Sequence, residues 1–279
     1  MKIGFIGLGN LGGTIANRLI EQGEELVLYN RTKGKADNIN AKEADSLQEL
    51  IAEVDIAFMC LFDSPAVEQT LNELCKHNLD GKIIIDLTTN HFDYPESFYK
   101  MLKEKNASYL ESPVLGSVAP AKAGALTILV SSDEEPYKKT LPLLEKIGAN
   151  IFYLKEITLA TKMKVINNLS LGSFMATIAE CLSLAEKSGL EKNKVLDILA
   201  VGGANSMVLN AKKEKLSKED FTPHFSNKAI YKDLHTLEDL AYKLKTPIYT
   251  SKLPKELFAK TFEKNEENLD FSSIYNILK

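Results

Sequence analysis

A chain of 279 residues, 44% hydrophobic and 26% charged, carries enough apolar side chains for a sizeable core and is long enough for one large domain or two ordinary ones. Its formal net charge of −4 offers no general attraction to nucleic acid or anionic membrane, so a small-molecule partner is expected, with no nucleic acid and no membrane. Three cysteines at irregular wide spacing and four scattered histidines exclude a disulfide framework and show no metal-ligand spacing.

The N-terminus opens directly on the strand pattern Lys2–Ile6, without room for a leader peptide, and a cytoplasmic protein is expected. Further strands are predicted at Glu25–Tyr29, Ile56–Met59, Ile83–Asp86, Ser108–Leu110, Thr127–Val130 and Ile151–Tyr153. Amphipathic segments lie between them, among them Pro65–Lys76, with Asp63-Ser64-Pro65 as cap chemistry, and Tyr94–Lys105. Such alternation builds a mainly parallel sheet covered on both faces. After Glu156 strand alternation stops. Thr158–Ser188 reads as one long helix of about 45 Å at 1.5 Å per residue, ended by Gly189 as a left-handed cap. Within its most apolar stretch, Val165–Ala185, Asn167, Asn168 and Glu180 argue for burial in protein rather than in lipid. The expected architecture is α/β: an N-terminal Rossmann-type, doubly wound, mainly parallel sheet over residues 1–157, joined by the long helix to an all-helical domain over residues 158–279.

Gly7-Leu8-Gly9-Asn10-Leu11-Gly12 fits G-x-G-x-x-G directly after the first strand, with Gly13–Ile20 continuing as a helix. Gly7 permits the tight turn, Gly9 close approach of a pyrophosphate, and Gly12 close helix–strand packing, while the helix N-terminus offers free N–H donors. The second strand ends in Tyr29-Asn30-Arg31-Thr32, where NAD enzymes usually present an acid to the ribose hydroxyls. Asn30 repels no phosphate and Arg31 can fork onto one, with Thr32, Lys33 and Lys35 nearby, so NADP is the expected cofactor. Two later strand ends complete the predicted cleft: Cys60-Leu61-Phe62-Asp63-Ser64-Pro65 and Asp86-Leu87-Thr88-Thr89-Asn90, with Leu61, Phe62 and Thr89 as cofactor contacts. Lys164 and Asn168, four apart on the long helix, share one face.

In order along the chain, Gly4-Phe5-Ile6-Gly7-Leu8-Gly9-Asn10-Leu11-Gly12, Ser112-Pro113-Val114-Leu115-Gly116-Ser117, Lys164-Val165-Ile166-Asn167-Asn168, and Lys232-Asp233-Leu234 with Asp270-Phe271-Ser272 match four motifs of a known family. The sequence resembles the β-hydroxyacid dehydrogenases, which include 3-hydroxyisobutyrate dehydrogenase, glyoxylate/succinic semialdehyde reductases and tartronate semialdehyde reductase. The resemblance spans essentially the whole chain. It implies hydride transfer between NADP(H) and a small β-hydroxy acid or semialdehyde, with Lys164 as general acid or base and Asn168 holding the substrate oxygen. It also implies a cofactor contact at Lys232, substrate contacts at Leu115, Gly116, Ser117, Phe225 and Asp233, and a homodimer or homotetramer. Leu11 stands where methionine is usual. Leu115 stands where the family commonly has a carboxylate-binding serine, which leaves the substrate open, although the backbone N–H groups of Gly116 and Ser117 still offer donors to an anion. Two other readings fit the sequence: a reductase of imines or uncharged carbonyls on the same fold, and a non-catalytic dinucleotide-binding scaffold.

Overall fold

The computed structural model describes residues 1–279 and divides the chain into two compact units, Met1–Lys164 and Val165–Lys279. In the first unit nine strands form one sheet. They are β1 (Ile3–Ile6), β2 (Leu26–Tyr29), β3 (Lys42–Glu43), β4 (Ile56–Met59), β5 (Ile83–Asp86), β6 (Ser108–Glu111), β7 (Val114–Leu115), β8 (Leu126–Ser131) and β9 (Gly148–Lys155). The order β3-β2-β1-β4-β5-β6 is parallel throughout. β8 then runs antiparallel to β6 and β7, and β9 pairs with it in parallel.

Helices α1 (Asn10–Glu21), α2 (Leu47–Glu53), α3 (Ser64–Leu74), α4 (Pro95–Lys103), α5 (Val118–Ala123) and α6 (Glu134–Ile147) connect the strands. Successive strand residues point to opposite faces, and both faces are apolar here. Phe5, Leu28, Phe58 and Ile85 join Ile15 and Leu19 of α1 and Leu143 and Leu144 of α6 in one core. Ile6, Ala57, Met59 and Ile84 join Leu50, Leu71 and Phe98 of α2, α3 and α4 in the other. Burial on both faces makes these strands continuous apolar runs, which is why Ile56–Met59 and Ile83–Asp86 are found where the sequence predicts them. Asp63 caps α3 through Ala66 N–H at 3.0 Å, with Pro65 in the first turn, as its cap chemistry predicts. The two-residue strands β3 and β7 are not predicted, because Lys42-Glu43 carries no strand propensity and Pro113 interrupts the run that β6 begins.

The long helix α7 (Leu159–Lys187) contributes to both units and ends at Gly189, whose φ of +85° is the left-handed cap predicted. Leu190 N–H returns to Ala185 O at 2.9 Å across that cap. By length and composition α7 could cross a bilayer, yet Val165, Met175, Ala179 and Leu182 on it are buried within the protein. The second unit continues with α8 (Lys192–Val201), α9 (Met207–Lys218), α10 (Asn227–Lys243), α11 (Lys252–Glu263), a 3₁₀ turn at Phe271–Ile274 and α12 (Tyr275–Leu278). Apart from one isolated bridge between Ser226 and Asp270 it contains no strand pairing. The charge run Glu263–Glu267 lies at the end of α11 and in the turn beyond it.

Candidate active site

The three motif glycines are required for different reasons. At Gly7 φ is +94°, and a Cβ would lie 2.4 Å from Cys60 O; at Gly12 it would lie 2.1 Å from Gly7 O. The protein's own packing therefore demands both. At Gly9 a Cβ would meet nothing within 4 Å, so nothing inside the protein explains that glycine. The open space above it lies at the start of α1, whose cap residue is Gly9, with no side-chain cap and no acid in the first turn. A helix start without a side-chain cap or an acid favours an anionic ligand, and the residues present fit a dinucleotide pyrophosphate.

Asn30 lines a crevice at the end of β2 and is also held internally. Its Oδ1 accepts Leu8 N–H at 2.8 Å and its Nδ2 donates to Thr32 O at 2.8 Å, so the side chain ties the glycine turn to the end of β2. Arg31 and Thr32 line the same crevice, of about 350 Å³, together with Gly7, Leu61 and Phe62. Asn10 and Lys35 are exposed, Leu11 is half-buried against the sheet core, and neither Asn10 nor Lys35 lines that crevice. Lys33 pairs with Asp45 at 3.3 Å on the surface.

Under the next strand end sits a buried carboxylate that the sequence reading did not single out. Asp86 Oδ1 accepts Thr88 N–H at 2.9 Å, while Oδ2 accepts from Asn90 Nδ2 at 2.7 Å and the Tyr109 hydroxyl at 2.9 Å. Burial pushes the Asp86 carboxyl up despite these bonds. Thr88 Oγ1 in turn accepts Leu61 N–H at 3.0 Å, which ties the turn after β4 to the turn after β5; Thr89 beside it is half-buried and does not line the crevice. In the Ser112–Ser117 motif Gly116 has φ +120° and no room for a Cβ, which would lie 2.8 Å from Leu126 Cδ2. Leu115 is half-buried and pairs with Thr127 in β7, and the Ser117 hydroxyl makes no cap bond at the start of α5.

Lys164 is 6% exposed, so it is not one more solvated helix lysine. One turn later Asn168 is fully buried, donating from Nδ2 to Asp233 Oδ2 at 2.6 Å and accepting from Asn167 Nδ2 at 3.1 Å. Lys232 Nζ pairs with the other oxygen of Asp233 at 3.0 Å, so three of the residues singled out for the second unit form one chain. Phe225 is half-buried against Phe271, and its N–H reaches Asp270 Oδ2 at 3.3 Å. Asp270 also accepts from Lys212 Nζ at 2.8 Å; burial opposes its charge, but this ammonium holds its carboxyl below the usual range. Lys212 escaped the sequence reading because nothing distinguishes it from Lys213 and Lys215 beside it.

Two family models cover nearly the whole chain. Residues 2–155 match the NAD binding domain of 6-phosphogluconate dehydrogenase, and residues 159–278 match the NAD-binding domain of NADP-dependent 3-hydroxyisobutyrate dehydrogenase. The chain belongs to the β-hydroxyacid dehydrogenase family. It is an NAD(P)-dependent oxidoreductase of that family. It is 31% identical to glyoxylate/succinic semialdehyde reductase 2, chloroplastic, of Arabidopsis thaliana, over 100% of this chain and 80% of that protein. It is also 30% identical to the cytokine-like nuclear factor N-PAC of Homo sapiens over 98% of the chain, where it spans about half (51%) of that protein's length. Among solved structures, Psf3 in complex with NADP+ and 2-OPP superposes with a TM-score of 0.90 at 26% identity, covering 99% of this chain and 100% of that one. An imine reductase from Pseudomonas sp. shares the fold at a TM-score of 0.69 and 19% identity, over 100% of this chain and 99% of that one.

Proposed function

We propose that the protein reduces a small carboxylated aldehyde to the hydroxy acid, with Lys164 delivering the proton and NADPH as cofactor. The observation that carries this reading is the burial of Lys164, one turn from an asparagine whose amide is anchored by Asp233. A lysine removed from water within reach of a substrate oxygen is a proton donor in the reductive direction and, once deprotonated, a base in the oxidative one. NADPH supplies the hydride. Asn168 orients the substrate oxygen, and the Gly116 and Ser117 N–H groups receive its carboxylate. Arg31 and Thr32, with no acid at the end of β2, favour the 2′-phosphate of NADP.

The test is NADPH oxidation over glyoxylate, succinic semialdehyde, methylmalonate semialdehyde and tartronate semialdehyde, with uncharged aldehydes and ketones beside them. Lys164→Ala is expected to lower kcat/KM by about 100-fold or more; undiminished turnover removes the role. The apolar Leu115 in the substrate loop supports a second reading, a reductase of imines or uncharged carbonyls, and a preference for the uncharged set selects it. A homodimer or homotetramer and a cytoplasmic location complete the proposal. The apolar side chains of Ile166, Leu184, Ile198 and Met207, exposed on the helical unit, support the oligomer.

A further inference from the structure

Glu111 closes β6, is fully buried, and has no part in the proposed reaction. Both its oxygens are committed to the start of α7. Oε2 accepts Thr158 N–H at 2.6 Å and Oε1 accepts Thr161 N–H at 2.6 Å, from partners 47 and 50 residues away. Its strand partner Ser131, on β8, accepts Ala160 N–H through Oγ at 3.1 Å.

A helix start leaves four N–H groups without intrahelical partners, and each must be satisfied if buried. At α2 and α3 the residue before the helix supplies the cap, Ser46 in one case and Asp63 in the other. At α7 no local side chain does so. Leu159 N–H turns back to Glu156 O at 3.2 Å, and the other three donors go to Glu111 and Ser131 in the sheet. The approach is strained as well: Lys155 has φ +66° and Thr158 φ +82°, the latter a left-handed conformation that a β-branched residue strongly disfavours. Such a conformation persists only where its surroundings over-determine it. The short bonds from Thr158 and Thr161 N–H to the two Glu111 oxygens supply that constraint.

We propose that Glu111 is the positioning residue for Lys164: its carboxylate clamps the strained first turn of α7 to the sheet, and so sets the height and rotation at which the Lys164 ammonium stands. Lys164 follows Thr161 by three residues, within one helical turn of the clamp. Glutamate suits the task because two accepting oxygens meet two converging donors. Glutamine turns one of them into a donor facing a donor, and aspartate is one methylene too short to span both.

This proposal rests on the role given above to Lys164, and a double-mutant cycle separates the two. Wild type, Glu111→Gln, Lys164→Ala and the double variant are compared with NADPH and glyoxylate or succinic semialdehyde, and hydrogen exchange is followed at the amides of residues 158–164. Glu111→Gln is expected to lower kcat at least tenfold, leave KM for NADPH within twofold, and speed exchange in that turn at least tenfold. In the Lys164→Ala background it is expected to change the residual rate by less than twofold. An unchanged kcat, or an equal loss in both backgrounds, overturns the clamp. Full turnover by Lys164→Ala overturns the lysine's role instead, and exchange in Glu111→Gln then still reports whether the clamp holds the turn. Should Glu111→Gln fail to fold, Glu111→Asp keeps the charge but cannot span both donors: a threefold or greater fall in kcat that vanishes with Lys164→Ala supports the proposal, and no change in kcat or exchange overturns it.

Discussion

Asn168 Nδ2 donates to Asp233 Oδ2 at 2.6 Å, joining residues 65 positions apart, and both side chains are buried. The bond fixes the amide of Asn168 one way round, since its Oδ1 accepts from Asn167. Asn168→Ala leaves the Asp233 carboxylate buried with Lys232 as its remaining cation. The expected cost is about 1–3 kcal/mol of stability, the usual penalty for a buried acceptor losing its donor, together with a fall in kcat/KM. Urea unfolding and steady-state kinetics with NADPH measure the two effects separately, and a variant that loses stability without losing kcat/KM would confine Asn168 to a structural role.

The glycines of the cofactor turn separate folding from binding. Gly9→Ala projects a methyl group into open space, so unfolding free energy is expected to stay within about 0.5 kcal/mol, the range of surface substitutions. Its affinity for NADPH, read by fluorescence titration, is expected to fall at least tenfold. Gly12→Ala drives a Cβ to 2.1 Å from Gly7 O and is expected to destabilise the fold by about 1–3 kcal/mol or more. Equal effects of the two substitutions on stability would contradict this division.

Arg31 lines the crevice at the end of β2, where no acid stands. Arg31→Ala is expected to raise KM for NADPH by about 10- to 100-fold, matching loss of a charged hydrogen bond of about 1.5–3 kcal/mol. KM for NADH is expected to stay within twofold. Parallel loss with both cofactors would show that Arg31 does not read the phosphate.

Burial pushes the Glu111 carboxyl up to about 7 from its ordinary 4.5, against the hydrogen bonds from Thr161 and Thr158, and Asp86 beside it adds to the rise. The folded state therefore binds more protons than the unfolded chain between these values, and stability falls as pH rises from about 4.5 to 7. Above 7 the full cost, about 3 kcal/mol, is present; below 4.5 it is absent. Asp86 shifts in the same direction, so the contribution of Glu111 is isolated by difference. Between pH 5.5 and 8, about 2 kcal/mol of the wild-type loss is expected to be missing in Glu111→Gln, measured by urea unfolding. Parallel pH curves for the two proteins would contradict the shift.

Local and periodic features were legible before any fold was known. The apolar runs of β4 and β5, the Asp63 cap, the Gly189 terminus and the glycine turn each depend on neighbours within a few residues, and the order of motifs along the chain already pointed to the family. What only tertiary structure decided acts over tens of residues. The burial of Lys164 could not be read from a helix apolar on most sides, nor the bonds by which Asn30 ties the glycine turn to the end of β2. Glu111 carries no sequence signal, because its partners lie 47 and 50 residues downstream and enter its reach only once β6 and α7 are in place. A backbone donor is anonymous in sequence, and which carboxylate satisfies it is settled by where the sheet ends.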